Sequence, residues 1–315
     1  MASTAATAQT YNDTNVLGDV LETGVTRNTG AFFAAVSANG VKLIRNQEFP
    51  MSATYALDAG AQGAISEETS LTAGTADFYA KSQEYNVIQI SKKEIAVSHL
   101  REAASQQIDT SNINVGGMAP TASEFDRVAA NAMQQLRADW EFGMIQGTYV
   151  ARSAVGTTVA MGGLLDATVG ITTNTVAGGS AALSKEIIDE LLVKMADHGA
   201  PFANPVFVVK AKYAKAISEI YGYQPQSTTI GGVAIDTVLT DFGKFGVIWT
   251  NTAKANTILV ADLAYMQPVV LPNQGQQILM REYQDGGSAK KGFIEGFVSV
   301  DFGAESYHGS ITAVA

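Results

Sequence analysis

The chain has 315 residues, 16% of them charged, with 20 Lys and Arg against 30 Asp and Glu (net charge −10) and no cysteine. The acidic balance argues against an extended basic groove for nucleic acid, and the lack of Cys excludes disulfides, thiol chemistry and Cys-based zinc sites. No apolar run approaches the about 18 residues of a membrane-spanning helix, and the N-terminus has neither the positive patch nor the apolar centre of a secretory signal.

Residues 1–40 are rich in Ala, Thr, Asn and Gly, with two apolar patches at 16–21 and 31–36. They predict an arm with too little apolar surface for a core of its own. Residues 41–98 predict a long β-hairpin. One leg runs through 44–49 and 53–57 around Pro50. A small, polar tip at 58–74 holds Gly60, Gly63, Gly74 and the pair Glu67-Glu68. Residues 78–98 return. In the return leg Ile88 and Ile90 alternate with Gln89 and Ser91, whereas Ile95 and Val97 alternate on odd numbers, so a bulge or bend is expected near Lys92. A lone two-stranded hairpin is marginal in water, so this one should rest on a neighbour.

Residues 121–147 predict one uninterrupted amphipathic helix, about 40 Å long at 1.5 Å per residue. Thr121-Ala122-Ser123-Glu124 after Pro120 is a capping-box pattern. Phe125, Val128, Ala129, Ala132, Met133, Leu136, Trp140 and Met144 recur at three- and four-residue steps. Arg127, Gln134, Gln135, Arg137, Asp139 and Glu141 fill polar positions, and Gly147 stops the helix. Phe125, Leu136 and Trp140 are the core anchors expected of it. A short coiled-coil seam is the rival reading.

Between Arg152 and Lys185 the one charge is Asp166, and this stretch predicts short strands and loops around Gly162-Gly163-Leu164-Leu165. Residues 184–285 predict a separate α/β unit. Ser184 caps a helix carrying Ile187, Ile188, Leu191, Leu192 and Met195, ended by Gly199. A buried strand at 206–209, a second helix at 211–221, and strands at 233–239, 245–250, 257–261 and 268–271 follow. Residues 286–315 return to β, with Val298, Val300 and Phe302 alternating with Ser299 and Asp301. This tail is expected to pair beside the long helix, so that 99–183 and 286–315 form one domain into which 184–285 is inserted.

No motif with a catalytic mechanism occurs: no phosphate loop, no dinucleotide fingerprint, no nucleophile elbow and no zinc-protease helix. His99, His198 and His308 are far apart and read as independent surface or helix-end residues; His198 sits in the last turn before Gly199, where a cation is favoured. Glu67-Glu68 is an adjacent carboxylate pair at the tip of the hairpin. On an extended strand its members face opposite sides, which suits salt bridging or solvation rather than acid/base work. The Gly-Gly pairs read as turns. The expectation is therefore no catalytic residue, no cofactor and no metal. Hydrophobic residues reach 46%, enough for a sizeable core, while charge falls below the ~25% usual for globular proteins. A surface so sparsely charged suggests cover by another copy of the same chain.

The order of arm, long hairpin, long helix, inserted α/β unit and returning strands resembles the major capsid protein of tailed bacteriophages. That α+β architecture is the Hong Kong phage fold, shared with herpesvirus shells and encapsulins. Residues 53–98, 121–147 and 184–271 carry the resemblance. Residues 124–147 resemble the family's spine helix, 67–98 its extended loop, and 233–243 with 259–262 its axial strands. Gly162-Gly163-Leu164-Leu165 resembles the short turn after the spine helix.

The resemblance implies an N-terminal arm (1–40), an extended loop (41–98), a peripheral domain (99–183 and 286–315) and an axial domain (184–285). It implies self-assembly in hexamers and pentamers into an icosahedral shell around double-stranded DNA, without sequence-specific contact. Portal, scaffold and decoration proteins are further partners, no membrane is involved, and assembly takes place in the host cytoplasm. Glu67, Glu68, Lys92 and Lys93 become candidates for the interface between copies. With no lysine between Arg45 and Lys81, a covalent lysine–asparagine crosslink from the tip is not expected. Only about 40 residues precede the hairpin, which suits a mature form or a separate scaffold protein. An encapsulin-like compartment shell and a phage tail or surface protein are the alternatives; internal repeats or all-β patterning, expected of the latter, are not seen.

Overall fold

The computed structural model describes residues 30–51, 54–55, 65–72, 81–106, 124–154, 156–222, 226–230, 233–283 and 287–315. Gly30 has a φ of 89°, in the left-handed region open to glycine. Helix α1 (Ala31–Ser37) follows, and its Phe32, Ala35 and Val36 are buried in the subunit's own core. Residues 31–37 need no core of their own because the long helix and the seven-stranded sheet supply one. Residues 1–29 of the arm lie outside the described residues.

Next come β1 (Lys42–Leu43), β2 (Glu48–Pro50), β3 (Thr54–Tyr55), the single-turn helix α2 (Glu67–Ser70), β4 (Lys81–Ser82) and β5 (Tyr85–Val87). β2 pairs antiparallel with β5, and β3 with β4, in a register running from Glu48↔Val87 to Tyr55↔Lys81. Two short ladders thus join the legs of the hairpin. Near the tip, Ser66 accepts a hydrogen bond from Thr69 N (3.1 Å) and starts α2. Glu67 and Glu68 therefore stand in a helical first turn, not on an extended strand. A serine cap followed by two carboxylates at the positive end of the helix is the local reason.

Strand β6 (Gln89–Ser98) leaves the hairpin and joins the five-stranded sheet. It pairs without interruption with β15 (Ala289–Asp301), from Gln89↔Val298 to Ser98↔Ala289, so the expected bulge near Lys92 is absent. Ser91, Ile95 and Val97 face the core in one phase; Ile90 points outward and is 60% exposed. An outward isoleucine had mimicked a change of phase.

Helix α3 (His99–Gln106) leads toward helix α4 (Glu124–Gln146), whose 23 residues span about 35 Å. The residues of the expected cap before Glu124 lie outside the described residues. α4 packs on β6 and β15, with Phe125, Leu136 and Trp140 all buried. Glu141, expected on the polar face, is fully buried as well.

The helix stops where the 162–165 turn meets it. Gly163, Leu164 and Leu165 donate their N–H groups to the carbonyls of Gly147 (3.0 Å), Met144 (2.9 Å) and Ile145 (3.0 Å). These acceptors are the orphan carbonyls every helix C-terminus must satisfy.

The seven-stranded sheet has the order β7-β16-β12-β8-β11-β10-β9. Its members are β7 (Thr175–Ala177), β8 (Pro205–Val209), β9 (Gln226–Ile230), β10 (Val233–Thr240), β11 (Gly243–Trp249), β12 (Thr257–Asp262) and β16 (Gly309–Thr312). Helices α5 (Lys185–Asp197) and α6 (Ala211–Tyr221) cover one face, and the large core around α4 takes the other. Burial on both faces explains the unbroken apolar run of β8. Ser184 Oγ caps α5 by accepting from Ile187 N (3.5 Å).

Two expectations on strand pairing are corrected. β13 (Gln267–Val270) and β14 (Ile278–Tyr283) do not belong with the α/β unit; both pair with β15 in the five-stranded sheet. β16 does not lie beside the long helix; it inserts between β7 and β12. The chain thus crosses between the sheets after β12 and again after β15, and strand composition carries no signal for which sheet a strand joins.

Candidate assembly site

Glu141 gathers three distant stretches of chain. Its Oε2 accepts from the backbone N–H of Phe32 (3.1 Å) and Phe33 (3.2 Å) in the first turn of α1. Its Oε1 accepts from the hydroxyls of Thr250 and Thr252, just beyond β11. A carboxylate placed on free helix amides satisfies orphan donors and meets the positive end of the helix. Hydrogen bonds from these four donors let the carboxylate be buried with no cation among its partners in the described residues.

The root of the extended loop is fixed by Asn86, also fully buried. Its Nδ2 donates to the carbonyls of Gly162 and Val300 (both 3.0 Å), and its Oδ1 accepts from Gly162 N (3.0 Å) and Val87 N (2.8 Å). The neighbouring Glu84 carboxyl is pushed up, first by burial and then by the Glu305 carboxylate. Burial also pushes Glu305 up, but hydrogen bonds from Thr172 and Thr173 outweigh it and hold that carboxyl below its usual range.

Every described residue from Ile65 to Thr72 is exposed, with Ile65 at 73% and Leu71 at 85%. Glu67 and Glu68 make no ion pair among the described residues. Lys92 pairs with Glu94 (3.1 Å) and lies 4.8 Å over the Phe293 ring, while Lys93 pairs with Asp139 on α4 (2.6 Å). The structure does not bring the glutamates and the lysines together within one subunit. At the other end of α4, Glu124 bonds Arg127 (2.7 Å) and Arg101; the Arg127 hydrogen bond above all holds its carboxyl below the usual range despite partial burial.

His198 Nδ1 meets Asn174 Oδ1 at 2.6 Å. His308 departs from the surface reading: it is fully buried, with Nδ1 accepting from Asp262 N (3.1 Å) and Nε2 donating to Phe302 O (2.6 Å). Among the described residues there is no group of three or more potential metal ligands, and no helix long and apolar enough to cross a membrane.

Sequence reasoning missed Glu141, Asn86 and the buried His308. A signal for Glu141 was present: Ala138 and Ile145 stand one turn either side of it and are also buried, so α4 carries a second buried stripe near its C-terminal end.

Two sheets packed with one long helix, and an exposed loop tip, are shared in fold with solved capsid and encapsulin subunits. The capsid of a native GTA particle matches with a TM-score of 0.59 at 14% identity, covering 100% of this chain and 100% of that one. The SrpI encapsulin of Synechococcus elongatus PCC 7942 matches at 0.57 and 12% identity, covering 98% and 95%. The capsid of the cyanophage P-SCSP1u matches at 0.56 and 11% identity, covering 96% and 92%. No curated protein matches by sequence. Residues 3–315 match the family described as SU10 major capsid protein, and the chain belongs to that family. It is a phage major capsid protein, a structural subunit of the virion shell.

Proposed function

We propose that copies of this subunit, grouped in hexamers and pentamers, close an icosahedral shell around the double-stranded DNA of a tailed phage, assembled in the host cytoplasm. The observation that carries the reading is the exposed tip, where Ile65 and Leu71 flank Glu67 and Glu68, whose carboxylates make no ion pair among the described residues. Apolar side chains so exposed have a reason to be covered by another molecule. In this reading the five-stranded sheet with α4 is the peripheral domain and the seven-stranded sheet with α5 and α6 is the axial domain.

The tip glutamates reach Lys or Arg side chains of a neighbouring copy, and Lys92 and Lys93 are candidate receivers. Their present ion pairs are partly exposed, worth about 0–1 kcal/mol each, so exchanging them costs little. Weak contacts repeated over several neighbours add to a stable wall through multivalency. The net charge of −10 discourages adhesion to the packaged DNA. Portal, scaffold and decoration proteins are further partners, and no catalytic step, cofactor or metal is assigned. Closed particles that package DNA support this reading. Particles that copurify with an enzyme and no nucleic acid support the encapsulin-like alternative, which the SrpI match favours as a fold.

A further inference from the structure

Asn39 is the one asparagine of the chain that is followed by glycine. In such a pair the Gly40 nitrogen can attack the carbonyl carbon of the Asn39 side chain, with no Cβ on the following residue in the way. The attacking nitrogen gives its proton to hydroxide, a C–N bond closes a five-membered succinimide, and the side-chain nitrogen leaves as ammonia with a proton from water. Water then opens the ring to aspartate or isoaspartate, so the change consumes water and needs no oxidant or metal.

Both residues are exposed, so water reaches them. Hydrogen bonds hold the reacting groups elsewhere. Asn39 Nδ2 donates to the carbonyls of Leu263 and Met266 (3.1 Å to the latter), in the crossover from the seven-stranded to the five-stranded sheet. The Gly40 N–H donates to Ser37 O (3.1 Å) in the last turn of α1. The electrophile is thus turned toward a distant stretch of chain, and the proton of the nucleophile is occupied. Gln267 Nε2 donates back to Asn39 O (3.3 Å), and the segment runs on into β1, where Lys42 and Leu43 pair with Val269 and Val270. Asn39 therefore latches the join between α1 and β1 onto residues 263–270.

We propose that Asn39-Gly40 is a modification site that the fold holds in check: deamidation is slow while α1 is docked, and once made it releases the α1–β1 join from the crossover. A carboxylate at position 39 has no hydrogen to donate, and it faces the Leu263 and Met266 carbonyl oxygens, which lose their donor. Isoaspartate also lengthens the main chain by one bond just ahead of β1. The inference stands on the single subunit, whether or not copies assemble.

Peptide mapping by mass spectrometry tests the first half. The 315-residue chain is held at mildly alkaline pH, folded and in urea, and the peptide across residues 39–40 is followed for the mass gain of deamidation. The rate in urea exceeds the folded rate by about tenfold or more, since reaction from the fold requires local opening. Phe32→Ala removes a buried ring of α1 and moves the rate in buffer toward the urea value; if that variant does not fold, the urea comparison decides. Hydrogen exchange in Asn39→Asp tests the second half: exchange across residues 38–44 rises by about tenfold, the scale of two lost hydrogen bonds, while β8 keeps its protection. Equal rates in buffer and urea, or no mass gain in either, overturn the check by the fold. Unchanged exchange at 38–44 in Asn39→Asp overturns the release.

Discussion

Trp140 occupies the space that a side chain at Gly296 would fill: a Cβ there would lie 2.8 Å from Trp140 Cζ2. Four residues earlier on β15, Gly292 leaves room in the same way for Phe125, whose Cζ would be 3.0 Å from an added Cβ. The two glycines let the long helix settle against the sheet with its largest rings inward. A rigid indole cannot fold aside, so Gly296→Ala should cost about 1–3 kcal/mol, and Trp140→Ala about 3–5 kcal/mol. Trp140→Phe should cost less than Trp140→Ala, since the buried Trp140 Nε1 has no hydrogen-bond partner to lose among the described residues. Denaturant midpoints of the free subunit measure all three, and an unchanged midpoint for Trp140→Ala contradicts the packing.

Gly163 lies where the turn crosses the helix end. A Cβ on it would meet Gly143 O at 2.5 Å, Gly147 N at 2.8 Å and Met144 O at 2.9 Å, all backbone atoms. Backbone cannot rotate away, so Gly163→Ala should cost at least about 2 kcal/mol. Gly156 is the control: its φ is +88° but nothing lies within 4 Å, so Gly156→Ala should show backbone strain alone, about 1–2 kcal/mol. Thermal melts of the pair should rank them in that order.

His308 predicts an acid-sensitive subunit. Burial pushes its pKa below 6.5, while hydrogen bonding to Phe302 O and the Asp262 carboxylate oppose this more weakly. The unfolded chain therefore binds a proton that the folded one refuses. The stability due to the neutral ring is complete above about pH 6.5 and is lost as pH falls through the folded pKa. Melting temperature should decline from pH 7 toward pH 5, and His308→Gln should flatten that decline. An equal slope in the variant contradicts the assignment.

Glu84 has the opposite sign. Its folded pKa lies above 4.5, so the protonated form is favoured in the fold and its contribution is lost as pH rises through the folded value. Glu84→Gln should melt higher than the parent at pH 7, with the gap closing near pH 4. A lower melting temperature at pH 7 would show that the Glu305 repulsion is not felt.

Glu67→Lys with Glu68→Lys reverses the charge of the tip without touching a buried group. The melting temperature of the free subunit should stay within about 1 °C, since exposed substitutions are close to neutral, while the yield of closed particles drops. Normal assembly of this double variant removes the tip from the interface.

Much of the fold was legible because periodicity speaks for single elements. The stripe from Phe125 to Met144 marked α4, Ser184 and Gly199 bracketed α5, and the apolar run at 206–209 marked a buried strand. What stayed hidden depends on distant partners. β16 is a four-residue strand whose neighbours, β12 and β7, lie some 50 and 130 residues upstream. Glu141 looks polar until the Phe32 and Phe33 amides and the Thr250 hydroxyl are brought to it. The tip glutamates were visible as a lone anionic pair, but their helix rests on one serine hydroxyl, and small polar residues around it carry no periodic signal.

Electron microscopy of the purified 315-residue chain is the most direct test. The account predicts closed particles of uniform size, with the loop tip of each copy lying on its neighbour. A monodisperse single subunit at every concentration and salt condition, with Ile65 and Leu71 protected against its own body, would contradict it.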